Sequence, residues 1–252
     1  MGDTKKRGRV RVEDGQKRVR SVIGGKTVAQ SDNVKMVWEK PYYPTYYFPA
    51  ADVDTSLLAP SGETHRSPSR GTSELHNVKV GDQERSNAAA WFKESPVEDI
   101  VDHIRLDWAA MDNWYEEDEE VYVHARDPYS RIDILPSSRH VRVEVDGVTV
   151  ADSRQPRLLF ETGLPTRYYL PKSDVTMELL TDSDLVTSCP YKGDANYYDV
   201  TVNGQTHENI VWWYRFPVEE SSRVAGYVSF YNEKVDIYVD GELEAKPKTV
   251  FA

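Results

Sequence analysis

Displaced by 122 positions, the 252-residue sequence lies over itself without a gap for a long stretch. Lys17-Arg18-Val19-Arg20 falls on Arg139-His140-Val141-Arg142, and Gly25-Lys26-Thr27-Val28-Ala29-Gln30-Ser31 falls on Gly147-Val148-Thr149-Val150-Ala151-Asp152-Ser153. Tyr46-Tyr47-Phe48-Pro49 meets Tyr168-Tyr169-Leu170-Pro171, and Val78, Val80, Gln83, Asn87 and Trp91 meet Val200, Val202, Gln205, Asn209 and Trp213. Self-similarity at one fixed offset is the mark of a repeated structural unit. Each copy must therefore complete a fold of its own. The boundaries expected are a basic flexible tail at 1–16, a diverged first copy at 17–123, a connecting segment at 124–138 and a second copy at 139–252.

Both copies read as mainly β. Val141-Arg142-Val143-Glu144-Val145 alternates, turns at Asp146-Gly147 and alternates again through Val148-Thr149-Val150. Asp-Gly and Asn-Gly between alternating runs predict two-residue hairpins, because a type I′ turn needs positive φ at both central positions. Asn203-Gly204 predicts a second hairpin, and Ala225 to Tyr231 with Val235 to Val239 reads as a third strand pair. Ser173 is placed to cap a short helix over Asp174 to Leu180, with Ala51 to Leu58 as its counterpart. Pro96 to His103 reads as an extra helical turn, and the alternation in Ile132 to Leu135 predicts a strand docking on a domain. The fold class expected is two tandem β-sandwich or barrel-like domains, each with one short helix.

Composition narrows the function classes. Residues 1–20 carry eight Lys/Arg against three Asp/Glu, leaving 23 against 39 for the rest of the chain. A mostly acidic body argues against nucleic-acid binding, which needs a clustered basic surface. The run Glu116-Glu117-Asp118-Glu119-Glu120 reads as a solvated, self-repelling loop. One cysteine excludes an intramolecular disulfide framework and fits a reducing, cytoplasmic compartment. No apolar run approaches a membrane span, and the first residues lack the apolar core of a secretory signal. His65, His76, His103, His124, His140 and His207 are scattered without ligand spacing, so no metal or cofactor is implied.

Val150-Ala151-Asp152-Ser153, Leu164-Pro165-Thr166-Arg167-Tyr168-Tyr169, Thr187-Ser188-Cys189-Pro190-Tyr191-Lys192-Gly193 and Val224-Ala225-Gly226-Tyr227-Val228-Ser229-Phe230-Tyr231 resemble the domain of unknown function 427 family. That family also carries a nucleotidyltransferase-like label. The resemblance implies a largely β fold like that of zinc-binding exchange-factor-like domains and methionine sulfoxide reductase B. It implies no established activity. Nucleotidyl transfer needs paired carboxylates that hold magnesium against a triphosphate. Asp52-Val53-Asp54 and Asp182-Ser183-Asp184 have that spacing but no Gly-Ser element upstream, so they read as caps and loop acids.

The candidate site lies around Cys189-Pro190-Tyr191-Lys192-Gly193. The first copy has Ser67-Pro68-Ser69-Arg70-Gly71 at the same offset. Pro, a basic residue and Gly persist, as a turn framework would require. Cys189 and Tyr191 belong to the second copy alone. A pocket mixing aromatics with charges is the usual form of a small-molecule site, so Arg167, Tyr169, Tyr191, Trp213 and Asp152 are expected to bind a ligand beside Cys189 and Lys192. Trp212 and Trp213 must point to opposite faces of one strand. Two other readings stand beside this one. Cys189 could be a nucleophile whose thiolate Lys192 favours, or the chain could be a pseudosymmetric interaction scaffold with a protein partner left open. In the first copy Thr45 and Gln30 replace Arg167 and Asp152, so its ligand chemistry is expected to be lost.

Overall fold

A computed structural model describes residues 10–249. It divides into two compact units, Met1–Asp127 and Pro128–Ala252. Residues 1–9, most of the expected basic tail, lie outside the described residues. The remainder of that tail is not a tail. Arg11–Asp14 is a strand paired with Lys35–Trp38, and its counterpart Ile132–Pro136, inside the expected connecting segment, pairs with Arg157–Glu161. The strand foreseen at Ile132 to Leu135 thus opens the second unit.

Each unit pairs a seven-stranded sheet with a four-stranded one, and every pairing is antiparallel. In the second unit the large sheet runs Ile132–Pro136, Arg157–Glu161, Arg167–Pro171, Tyr227–Phe230, Gln205–Tyr214, Gly193–Val202, Leu180–Cys189. The small sheet runs Val148–Ser153, Val141–Val145, Asp236–Val239, Glu242–Leu243. The first unit repeats this order with Arg11–Asp14, Lys35–Trp38, Thr45–Pro49, His103–Leu106, Gln83–Phe92, Gly71–Val80 and Leu58–Ser67 in its large sheet. Among the described residues, no helix is long and apolar enough to cross a membrane.

Alternation builds two apolar layers on each large sheet. In the second unit Val141, Val143, Val150, Leu170, Val200, Val211, Val228 and Ile237 form the core between the sheets. Leu159, Tyr169, Tyr197, Trp212, Tyr214 and Val224 form a second cluster on the large sheet's outer face. The predicted hairpins are present: Asp146 and Gly147 have φ of 48° and 76°, and Asn203 and Gly204 have 51° and 76°.

Three local readings are corrected. Lys172–Asp174 and Met177–Leu179 are single 3-10 turns, and a strand begins at Leu180. The longer helix fails because its backbone is used elsewhere: Thr176 N donates to Val150 O, and Val175 bridges Ala151. Tyr227–Phe230 and Asp236–Val239 do not pair with each other but enter different sheets. The acidic run is not a free loop. Glu116 is buried, accepts from Tyr46 Oη at 2.6 Å and pairs with Lys17, while Arg18 reaches Asp118 at 2.9 Å. Lys17 and Arg18, just ahead of the adjoining strand Val19–Ile23, pair with Glu116, Glu117 and Asp118.

The shared Gly marks a required backbone shape. Gly71 and Gly193 have φ of +88° and +92°, and a Cβ at Gly193 would stand 3.1 Å from Phe216 O. Gly193→Ala should therefore lower the chemical-denaturation stability by more than about 1 kcal/mol; an unchanged midpoint would contradict this.

Candidate functional site

The outer face of the second unit's large sheet is built around two ion pairs. Lys192, in the turn between the strands Leu180–Cys189 and Gly193–Val202, places Nζ 2.6 Å from Glu161 Oε2. Four strand steps separate Glu161's strand from the one Lys192 precedes. On a flat sheet these would span about 19 Å, at about 4.8 Å per step. A lysine reaches only a fraction of that, so the sheet must curl and its hairpin tip must fold toward the outer face. The first unit makes the same closure through Arg70 and Glu39, and there Tyr47 Oη donates to Glu39 Oε1 at 2.8 Å and accepts from Arg70 Nη1 at 2.6 Å. Glu39 and Glu161 stand at the same 122-residue offset. The sequence therefore held the signal for this partner of the basic position, although reading the turn alone misses it.

The second pair belongs to the second unit. Arg167 donates from Nη1 and Nη2 to the two oxygens of Glu233, both at 2.8 Å, and from Nη1 to Asn232 Oδ1 at 3.1 Å. The Glu233 side chain is fully covered and the Arg167 side chain nearly so. Burial alone would raise the Glu233 carboxyl pKa, but hydrogen bonds from Arg167 and from Thr249 outweigh it and hold the group at about 2. Thr249 Oγ1 donates to Glu233 Oε1 at 2.6 Å, so the final described residue seals this end of the face.

Between the pairs stand aromatic side chains with polar tips. Trp212 Nε1 donates to Tyr169 Oη at 3.0 Å, with the rings edge to face. The Arg167 guanidinium carbon lies 5.5 Å from the centroid of the Trp212 ring, within the range of cation–π attraction. Tyr197 Oη lies 2.7 Å from Thr187 Oγ1. Burial drives the Tyr169 and Tyr214 hydroxyl pKa values well above the ordinary value of 10.0, so both stay protonated as donors. Ser229 is opposite Tyr169 on one side and Trp212 on the other. It is wholly buried, and its Oγ has no hydrogen-bond partner. A buried hydroxyl without a partner carries a desolvation cost, as Ser21 Oγ of the first unit also does.

Of the residues singled out in the sequence, Arg167, Tyr169, Lys192 and Cys189 belong to this face. Cys189 is half-buried and near enough to Tyr169 and Tyr214 to influence both hydroxyls. Tyr191 is in the tip turn, where its carbonyl accepts from Ser221 Oγ at 2.9 Å. Trp213 and Asp152 are not part of it. Trp213 faces the inter-sheet core side, stacked on Tyr198 with Lys172 Nζ 3.4 Å from its ring centroid. Asp152 is exposed on the small sheet, 2.7 Å from His140 Nε2. The cause is strand parity: Trp212, not its neighbour, shares the face of Tyr169. His207 stands apart too, paired with Asp146 at 2.7 Å. Among the described residues no group of three or more His, Cys, Asp and Glu is placed to hold a metal ion.

This fold and both copies of the Lys/Arg–Glu closure accompany a family match in both units. The chain belongs to the family described as Domain of unknown function (DUF427), which matches residues 11–117 and again residues 133–241. No curated protein matches it.

The Glu233 shift has a definite pH sign. A carboxyl held at about 2 against an ordinary 4.5 contributes stability above pH 4.5 that is lost as pH falls toward 2. Glu233→Gln should lower stability at neutral pH and flatten its loss through that acid window, as read from denaturation midpoints at each pH.

Proposed function

We propose that the second unit binds a small, flat, polar organic molecule on the outer face of its large sheet. The observation that carries this reading is the buried Ser229 hydroxyl without a partner, between Tyr169 and Trp212 and flanked by two ion pairs. The Lys192–Glu161 pair also closes the sheet, whereas the Arg167–Glu233 pair has no counterpart at Thr45 of the first unit, which folds without it. Buried ion pairs commonly contribute no more than apolar residues of the same volume.

The first unit supports the same conclusion by comparison. There Ala90 stands where Trp212 does, Leu75 where Tyr197 does and Phe92 where Tyr214 does, and these residues pack as an apolar cluster. The same β architecture folds without the polar face. Arg167 and Lys192 are each balanced by a glutamate, which favours a neutral or zwitterionic ligand over a strongly charged one. Tyrosine hydroxyls and Ser229 supply hydrogen bonds, and the rings supply a stacking surface.

The nucleophile reading draws less support. Lys192, the residue that would favour the thiolate, is committed to Glu161 at 2.6 Å. Cys189 then serves as a wall of the site.

A thermal-shift screen of small neutral and zwitterionic heterocycles tests the proposal. A ligand present at about 100 times its Kd stabilises the folded state by about 2.7 kcal/mol. At least one compound should raise the melting temperature of the full chain and lose that effect in Trp212→Ala and Ser229→Val. Hits that shift both variants as much as the parent would overturn the assignment.

A further inference from the structure

A cavity of about 120 Å³ opens beside Thr45 in the first unit. Thr45 stands where Arg167 does in the second copy. Asp107, also on the cavity wall, takes the place of Tyr231: Asp107 N donates to Ala88 O at 2.8 Å, Tyr231 N donates to Ile210 O at 3.0 Å, and Ala88 and Ile210 are 122 residues apart. In the second unit these two side chains are neighbours, the Arg167 guanidinium carbon lying 6.0 Å from the Tyr231 ring centroid. A threonine and an aspartate are both shorter, so space that the second unit fills with its own residues stands open in the first.

The charged groups of the wall balance, Lys40 and Arg105 against Glu39 and Asp107. Each of them keeps unused capacity. Glu39 accepts from Tyr47 at 2.8 Å and from Arg105 Nε at 3.1 Å and pairs with Arg70, all at Oε1. Asp107 accepts from Ala109 N at 3.0 Å with Oδ1 alone. Among the described residues Glu39 Oε2, Asp107 Oδ2, both Arg105 Nη groups and Lys40 Nζ have no partner. Asp127, a further acid that acts on His124, accepts from Trp38 Nε1 at 3.1 Å. Asp107 is extended, with φ of −71° and ψ of 124°. Arg105 and Asp107, two residues apart, therefore present a cation and an anion about 7 Å apart along the chain.

The remaining wall is aromatic. Tyr43 and His124 are stacked, with ring centroids 3.8 Å apart and planes 9° apart. His124 Nδ1 is 2.8 Å from Ala125 O, so that nitrogen carries the proton, and burial holds the imidazole pKa below its ordinary value. The histidine thus adds a neutral ring. Trp108, also on the wall, is stacked on Trp114 at 4.5 Å. Val123, on the rim, has φ of 70°, where a β-branched residue is strained. A tight turn holds it there, His124 N donating to Tyr122 O at 2.8 Å. Strain of this kind gathers at ligand-binding segments.

From this arrangement we infer that the first unit binds a small zwitterion, an α-amino acid with a short apolar side chain. Arg105 and Lys40 receive the carboxylate, Asp107 and Glu39 Oε2 receive the ammonium group, and the rings flank the side chain. A molecule carrying only one of the two charges leaves the opposite pair of wall groups unanswered, which is the basis of discrimination. A cavity of about 150 Å³ takes benzene, so about 120 Å³ with an open side suits about eight non-hydrogen atoms. The site shares no residue with the face of the second unit.

L-Valine is the probe, titrated into the full chain and followed by two-dimensional amide NMR. Isovalerate, which lacks the amine, and isobutylamine, which lacks the carboxylate, are its single-charge counterparts. Saturable shifts should localise around Thr45, Arg105 and His124 for valine, and each counterpart should bind at least about ten-fold more weakly, as the loss of one charge-assisted interaction would require. Asp107→Asn keeps the oxygen that caps the 3-10 turn and should weaken valine binding by a similar factor. Thr45→Arg, which restores the second copy's side chain, should abolish it by filling the cavity. Absence of saturable shifts, binding of either counterpart as tight as that of valine, or valine binding unchanged in both variants would overturn the inference. Trp212→Ala should leave valine binding intact, which separates this site from that of the second unit.

Discussion

Both units depend on one ion pair that closes a sheet upon itself. Lys192 on Glu161, and Arg70 on Glu39, tie the tip of a long hairpin to a strand four places away in the sheet. Sheets twist and coil by default, but this pair fixes how far the large sheet curls and therefore makes its outer face concave. Partial burial keeps the pair from being an ordinary surface bridge, since the Lys192 and Glu161 side chains are only 11% and 9% exposed. Gly193 belongs to the same device: its positive φ turns the chain so that the preceding lysine points back over the sheet.

On that common frame the two copies have diverged in complementary ways. The second fills its concavity with Arg167–Glu233, Trp212 and tyrosines, and carries one orphaned hydroxyl at Ser229. The first substitutes alanine and leucine for the aromatics, moves a guanidinium onto the adjacent strand as Arg105 and leaves space at Thr45. In the inter-sheet cores Val19, Val28 and Val78 are buried just as Val141, Val150 and Val200 are, while Ser21 and Ala89 stand where Val143 and Val211 do.

Much of the architecture was legible in the sequence because it rests on local rules. Positive φ at Asp146-Gly147 and Asn203-Gly204 follows from residue type, and the offset of 122 residues reveals the duplication directly. Motif composition points to Arg167, Tyr169, Cys189 and Lys192, which the fold brings to one face of the large sheet. What was not legible depends on registration between distant strands. Ser229 and Glu233 gain their roles only by pairing with Tyr169 and Arg167, and between the first-unit strand and its counterpart the structural offset moves by two residues, placing Arg105 rather than Asp107 opposite Tyr47. Nothing local distinguishes the adjacent Trp212 and Trp213; only the parity of their strand does. Asp152 looked available because its partner, His140, comes from the neighbouring strand.

The binding proposal requires that the buried Arg167–Glu233 pair, unlike the Lys192–Glu161 closure, is not what holds the fold together. The stability of an Arg167→Met/Glu233→Leu double variant, measured by chemical denaturation beside each single variant, tests it most directly. Either single change leaves a buried charge without its partner and should cost about 3–5 kcal/mol, whereas the apolar pair should restore stability to the parent value or above it. A double variant as unstable as the single ones would contradict the account, because the ion pair would then be part of what holds the fold together.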